Sequence, residues 1–283
     1  MTVLRDTHED YGAVFEERAD RALVRHYGRP ERTHRAVRNA VGVTEHAHGV
    51  VLVSGDDRHA FVDDVVTNRV PDADGEGTYA LLLDPQGAIR TDLHVYEAGD
   101  RLLCFLPPET AREVAAEWRE NVFVRDVSVS LATDDFGVLG VHGPSATEKV
   151  ASVLHGAGAP DAPLSFVRGE IYDRGVTVIR TDSTTGEEGY EVVVAAAGAS
   201  DVLDTLLTRG LNATPFSPGA SRTSSASGAR STSRRGATSA RKSSPRSRTA
   251  AGPRGDSSAS ASTETPTTSR RPTRKTHQRS APP

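Results

Sequence analysis

Cysteine is nearly absent from this chain, with Cys104 the only one in 283 residues. An intramolecular disulfide is excluded, and the apolar run "RLLCFLP" around Cys104 marks a buried structural thiol rather than a nucleophile. Long apolar runs are missing too. No stretch of 18 apolar residues occurs, and the N-terminus "MTVLRDTHEDYGAVFEERAD" is charged and amphipathic, without a segment suited to a signal peptide. A soluble, cytoplasmic protein with no membrane partner is expected. Large apolar residues vanish after Phe216, since Ser217 to Pro283 hold no Val, Ile, Leu, Met, Phe, Trp, Tyr or Cys. These 67 residues have nothing to bury against the entropy of ordering, so a disordered tail is expected.

The formal net charge of -4 conceals two segments of opposite character. Residues 1–216 carry 20 Lys+Arg against 36 Asp+Glu, a net of -16, and Lys149 is their one lysine. Residues 217–283 carry 14 against 2, a net of +12. So acidic a body repels itself in dilute buffer, and that cost fades as salt shortens the screening length. A halophilic surface is the expectation.

The apolar pattern places elements along the first 216 residues. The opening segment through Arg25 reads as helical, and "RPERTHRAVRNAVGV" as a short helix entering a strand. "HGVVLVSG" is a strand ending at a Gly55 turn, followed by the helix "DRHAFVDDVVTNRV" with Asp56 or Asp57 available as N-cap and Pro71 stopping it. "GTYALLLDPQGAIRTDLHVYEAG" and "DRLLCFLPP" suit antiparallel hairpins, and "ETAREVAAEWRENV" is an amphipathic helix. "VRDVSVSLAT" and "FGVLGVHGP" read as strands and "SATEKVASVLHGAG" as a helix. "GVTVIRTDSTTGEEGYEVVVA" is a strand pair around a polar loop, and "ASDVLDTLLTRGLNATPF" closes the body as a helix. The connections are too short for parallel crossovers, which points to an α+β class with antiparallel sheets. No phosphate loop or dinucleotide fingerprint occurs, "HEDYGAVFEER" lacks the spacing of a zinc helix, and His46 and His48 read as surface decoration.

The order of these pieces resembles the folate-binding family that joins the T-protein of the glycine cleavage system, an aminomethyltransferase, to the YgfZ-like proteins. The resemblance covers nearly all of residues 8–216. It rests on "VSGDDRHAFVDDVVTNRVP", with Gly55, Thr67 and Asn68, on "LLLDPQGAIRTDLHVY", on "VLGVHGPSA" with Gly143 and Pro144, and on "TTGEEGYEVVV". It implies tetrahydrofolate, or a derivative, as the bound cofactor. A reduced pterin presents two N–H donors that a carboxylate can accept while its ring stacks on apolar or aromatic surface. Glu191 is the candidate for that carboxylate and Asn68 a further candidate binding residue. Tyr190 is a candidate wall, although strand alternation puts it on the opposite face from Glu191.

Asp92 is the candidate catalytic residue. T-proteins carry two consecutive aspartates after a Gly-Gly-Ile segment, one of them placed to handle the nitrogen in methylene transfer, whereas "GAIRTDL" keeps Asp92 and has Thr91 in the first position. A hydroxyl supplies neither the charge nor the basicity of a carboxylate near neutral pH. The departure favours the YgfZ-like branch, which serves folate-dependent maintenance of iron–sulfur proteins and implies iron–sulfur client proteins as partners. The alternative is an aminomethyltransferase, with a lipoyl carrier protein as partner.

Both branches need a C-terminal half, and the YgfZ-like one carries a K-G-C-Y-x-G-Q-E signature there that this chain lacks. Each residue fixes two bases that end a codon read one frame earlier. Reread so, Arg230 to Ser244 admit "ALDFEKGCYVGQEVV". The division is therefore 1–216 as the N-terminal part of the family fold and 217–283 as a basic tail that reads as an out-of-frame translation. The third reading, a basic arm gripping nucleic acid through its 14 positive charges, lacks the aromatic residues that stack on bases.

Overall fold

Along β6, residues Thr91, Leu93 and Val95 turn to one face while Asp92, His94 and Tyr96 turn to the other, and this two-residue period organises the whole body. The computed structural model describes residues 2, 4–18, 21–182 and 187–217. The tail expected from residue 217 falls, beyond Ser217 itself, outside the described residues.

The elements are α1 (Arg5–Asp10), β1 (Val14–Arg18), β2 (Arg21–His26), α2 (Pro30–Asn39), β3 (Gly42–Glu45), β4 (Gly49–Ser54) and α3 (Arg58–Asp63). There follow β5 (Gly77–Leu83), β6 (Ile89–Glu97), β7 (Arg101–Leu106), α4 (Pro108–Glu120), β8 (Ser128–Leu131), β9 (Phe136–His142) and α5 (Ala146–Ala151). The rest are β10 (Phe166–Ile171), β11 (Arg174–Arg180), β12 (Gly189–Ala195), α6 (Ala199–Thr208) and β13 (Thr214–Pro215). One sheet runs β10-β11-β12-β9-β3-β13 and another β5-β6-β7-β4-β8, while β1 and β2 form a separate hairpin. Every ladder is antiparallel except the short pairing of β13 with β3.

Three apolar clusters stack these elements in layers. Val150 of α5 and Val202, Leu203 and Leu206 of α6 pack on Leu139, Val141, Val192 and Val194, covering one face of the six-stranded sheet. Ala111, Val114, Ala115 and Trp118, spaced at helical period on α4, pack with Phe61 of α3 on the outer face of the five-stranded sheet. The two inner faces meet through Val50, Tyr96, Leu103 and Phe105 against Val138, Phe166, Ile179 and Val193. The seam between the sheets is where the site lies.

The opening segment departs from the helical expectation. Gly12, at a φ of 75°, turns the chain out of α1 after six residues. "VFEER" and "RALVRH" then pair as β1 and β2. Asp57 stands at the N-cap of α3, but its carboxylate accepts from the Asp126 amide at 2.9 Å rather than from the helix.

Lys149, alone of its kind in the body, is buried. Its ammonium donates to the Arg209 and Leu211 carbonyls just past α6, the latter at 2.7 Å, and burial pulls its pKa down. Cys104 is also buried, and burial pushes its thiol up to about 12. It is therefore expected to resist a coloured disulfide-exchange reagent at neutral pH and to react fully once the chain is unfolded, as release of the reagent's thiolate would record. Because its folded pKa exceeds the ordinary 9.0, its contribution to stability is complete below pH 9.0 and is lost as pH rises toward about 12.

Candidate functional site

The residue pair Tyr190–Glu191 sits in β12, in the middle of the six-stranded sheet, and the strand sends the two side chains apart. Tyr190 is fully buried on the helix-covered face. Its hydroxyl meets Thr147 Oγ1 at 2.8 Å and receives a hydrogen bond from Arg180 Nη1 at 2.7 Å. Tyr190 thus packs in the helix-side core and does not wall the space that Glu191 faces.

Glu191 points into the seam, where Oε1 meets His46 Nδ1 at 2.8 Å and His48 Nε2 at 2.9 Å. Both histidines belong to the short link from β3 to β4, which carries the chain from one sheet to the other and so delivers its side chains to the seam. They are not surface decoration. Burial works to raise the Glu191 pKa, but the charge of His48 and the hydrogen bonds from His46 and His48 hold it well below the usual carboxylate range. Burial works in turn to lower His48, and the charge and hydrogen bond of Glu191, with the charge of Asp92, raise it above its ordinary value. Each partner thus favours the charged form of the other.

Asp92 approaches from the five-stranded sheet. Its Oδ2 accepts from the Tyr79 hydroxyl at 3.3 Å. Tyr79 is pushed up by burial, by the charge of Asp92 and by that bond. His94 is lowered by burial, against the charges of Glu191, Asp182 and Asp92. Asp92 and Glu191, which lie on different sheets, therefore act on the same two imidazoles, His48 and His94.

A run of rings links them. Tyr79 meets His94 at 5.2 Å, His94 meets Tyr96 at 6.2 Å, Tyr96 meets Phe105 at 5.6 Å, and Phe105 stacks on His48 at 5.4 Å. His48 meets His46 at 5.5 Å, and His46 stacks on His142 at 5.2 Å. Gly140 makes room for the last pair, since a Cβ there would lie 2.4 Å from His46 Nε2 and 2.6 Å from His142 Nε2. His142 is lowered to about 4 by burial and by His46 beside it.

The other two positions of interest do not reach this space. Thr91 is buried on the opposite face of β6, with its hydroxyl 3.2 Å from that of Thr110 on α4. Asn68 is exposed and its amide donates to the Tyr79 carbonyl at 2.7 Å, beside Thr67, whose hydroxyl accepts from the Leu81 amide. Thr67 and Asn68 fasten the turn after α3 to β5, placing Asn68 at the margin of the site through Tyr79.

Among known proteins, the GCVT N-terminal domain family matches residues 4–226, which reaches past Phe216. The chain belongs to this family. An aminomethyltransferase from Listeria innocua is 31% identical over 198 residues, covering 67% of this chain and 52% of its own length. A probable aminomethyltransferase from Halobacterium salinarum is 32% identical over 215 residues, covering 72% of this chain and 58% of its own. The chain thus spans between half and three-fifths of the length of these relatives. The crystal structure of the glycine cleavage system aminomethyltransferase T from Bartonella henselae superposes with a TM-score of 0.63 at 21% identity, over 73% of this chain and 56% of that one. That likeness establishes the mixed antiparallel fold as the one this GCVT domain adopts. No helix among the described residues is long and apolar enough to cross a membrane.

The two central histidines of this GCVT domain read as surface decoration in the sequence because they join Glu191 across separations of 145 and 143 residues. The "HAH" spacing was the one local signal. Two residues apart in an extended link, both can turn to the same side.

Proposed function

We propose that this chain is the folate-binding part of an aminomethyltransferase, holding the pterin of tetrahydrofolate in the seam with Glu191 and presenting the reacting nitrogen to Asp92. The observation that carries this reading is that the two carboxylates, from different sheets, stand at the two ends of one run of rings, Asp92 on Tyr79 and Glu191 on His48. Glu191 supplies an anionic acceptor for the N–H edge, and the rings supply stacking surface. Asp92, which accepts from the Tyr79 hydroxyl, takes a proton from the nitrogen that gains the methylene group in this reading. The lipoyl carrier protein is the partner that would present that group.

This choice moves away from iron–sulfur maintenance for a structural reason. The departure at Thr91 favoured that branch, yet Thr91 faces α4 and its replacement removes nothing from the seam. The names of the relatives support the same choice. We keep the out-of-frame reading of residues 217–283 as part of the proposal, to be tested by the nucleotide sequence around codon 217.

Transfer from an aminomethylated lipoyl carrier protein to tetrahydrofolate, followed as ammonia release, is the deciding assay, run on this chain and on one restored to frame. Turnover is expected in the restored chain. Asp92→Asn should lower it by about 100-fold or more, the usual contribution of a positioned acid or base, while Thr91→Val should leave it within about threefold, consistent with a hydroxyl outside the seam. Absence of turnover in the restored chain, with folate binding intact, would return the reading to a binding protein.

A further inference from the structure

We infer that His46, His48 and Glu191 form a binding site for a divalent transition-metal ion of the zinc class. Two imidazoles and a carboxylate are a ligand set suited to such ions, leaving a fourth position for water or a substrate atom. The candidate ligand atoms, His46 Nδ1, His48 Nε2 and a Glu191 carboxylate oxygen, all lie within 4.8 Å of one another. Bonds of about 2.0–2.2 Å to a tetrahedral ion put ligand atoms roughly 3.3–3.6 Å apart. The two imidazole nitrogens, at 2.8 and 2.9 Å from Glu191 Oε1, need only withdraw by a fraction of an ångström.

The surroundings hold these ligands as metal ligands are held elsewhere. His46 offers Nδ1 to the site while its Nε2 lies 3.2 Å from His142 Nε2, the kind of second contact that fixes a ligating imidazole's orientation. The His48 ring is stacked on Phe105 with 9° between the planes. Two neutral imidazoles and one carboxylate leave a bound dication with one net positive charge. Both histidines come from one three-residue link and the carboxylate from the central strand it faces, so the site is built on the fold rather than on a loose surface.

The inference rests on this geometry and not on the folate reading. The ion takes one Glu191 oxygen and leaves the other open to a donor, so the site adds to the folate reading rather than replacing it.

The test is titration of the full chain with Co2+, in the absence of folate, followed by the visible bands of tetrahedral cobalt, and with Zn2+ followed by calorimetry. One ion per chain with tetrahedral bands is expected. The double variant His46→Ala/His48→Ala should abolish the bands and weaken Zn2+ binding by at least about 100-fold, and His142→Ala should weaken it by about tenfold. His155→Ala, which alters an exposed histidine elsewhere, should change nothing. Glu191→Gln provides a second variant of nearly unchanged shape should the double variant fail to fold, and it too should lose the bands. Equal binding by wild type and either site variant, or no stoichiometric binding by the wild type, would overturn the inference while leaving folate binding to be judged separately.

Discussion

Glu191→Gln is expected to weaken tetrahydrofolate binding by about ten- to hundredfold in the frame-restored chain. The substitution preserves volume but turns one acceptor into a donor, so the amide meets an N–H of the pterin with an N–H of its own. Losing a hydrogen bond to a charged group costs about 1.5–3 kcal/mol, and about 1.4 kcal/mol is tenfold in affinity. The variant also loses the carboxylate that His48 Nε2 meets at 2.9 Å, loosening the ring stacked on Phe105. Calorimetric titration in molar salt, where the acidic body is screened, measures the difference. Equal affinities would show that the pterin edge is held elsewhere.

Gly143→Ala should destabilise the fold by about 3 kcal/mol or more and lower the melting midpoint by roughly 6–12 °C. Gly143 follows β9 at a φ of 130°, a conformation that L side chains rarely adopt. A Cβ would lie 2.5 Å from the Ala40 carbonyl oxygen and 2.7 Å from that of Val37. Neither oxygen can retreat easily, because Ala40 O already accepts from the Ser145 amide and Val37 lies within α2. Strain and crowding therefore add. Thermal unfolding followed by circular dichroism checks the size of the loss, and a shift below about 2 °C would mean that α2 gives way.

Much of the fold was legible because strand alternation and helical spacing are local. The strands β4 to β9, the buried stripe of α4, and the placement of Tyr190 opposite Glu191 all follow from side-chain period alone. The hairpin of β1 and β2 was less so. Its charged, helix-compatible residues follow α1 directly, and only a single glycine marks the break. At the site, Asp92 and Glu191 were legible as residues worth naming but not as neighbours. Nothing in either segment records that a seam between two sheets will bring both to His48 and His94. The face that Thr91 takes was hidden for a related reason, since its position in a motif does not disclose it until the strand's partners are known.

The placement of the two carboxylates also bears on how such a gene can change length. Asp92 lies between Thr91 and Leu93 and Glu191 between Tyr190 and Val192, so dropping or gaining one codon inside β6 or β12 exchanges an acid in the seam for a neighbour from the other face. Loops at the strand ends carry no such penalty. The β5–β6 ladder already contains one irregularity, between Leu82 and Leu83, beyond the pairing of Leu81 with Asp92. An odd residue absorbed there stays on the hairpin side and leaves the acid where it was. Insertions and deletions among descendants of this chain should therefore collect at that bulge and in the turn beyond it, while the segments from Asp92 to Tyr96 and from Gly189 to Val193 keep their spacing even as their residues are replaced.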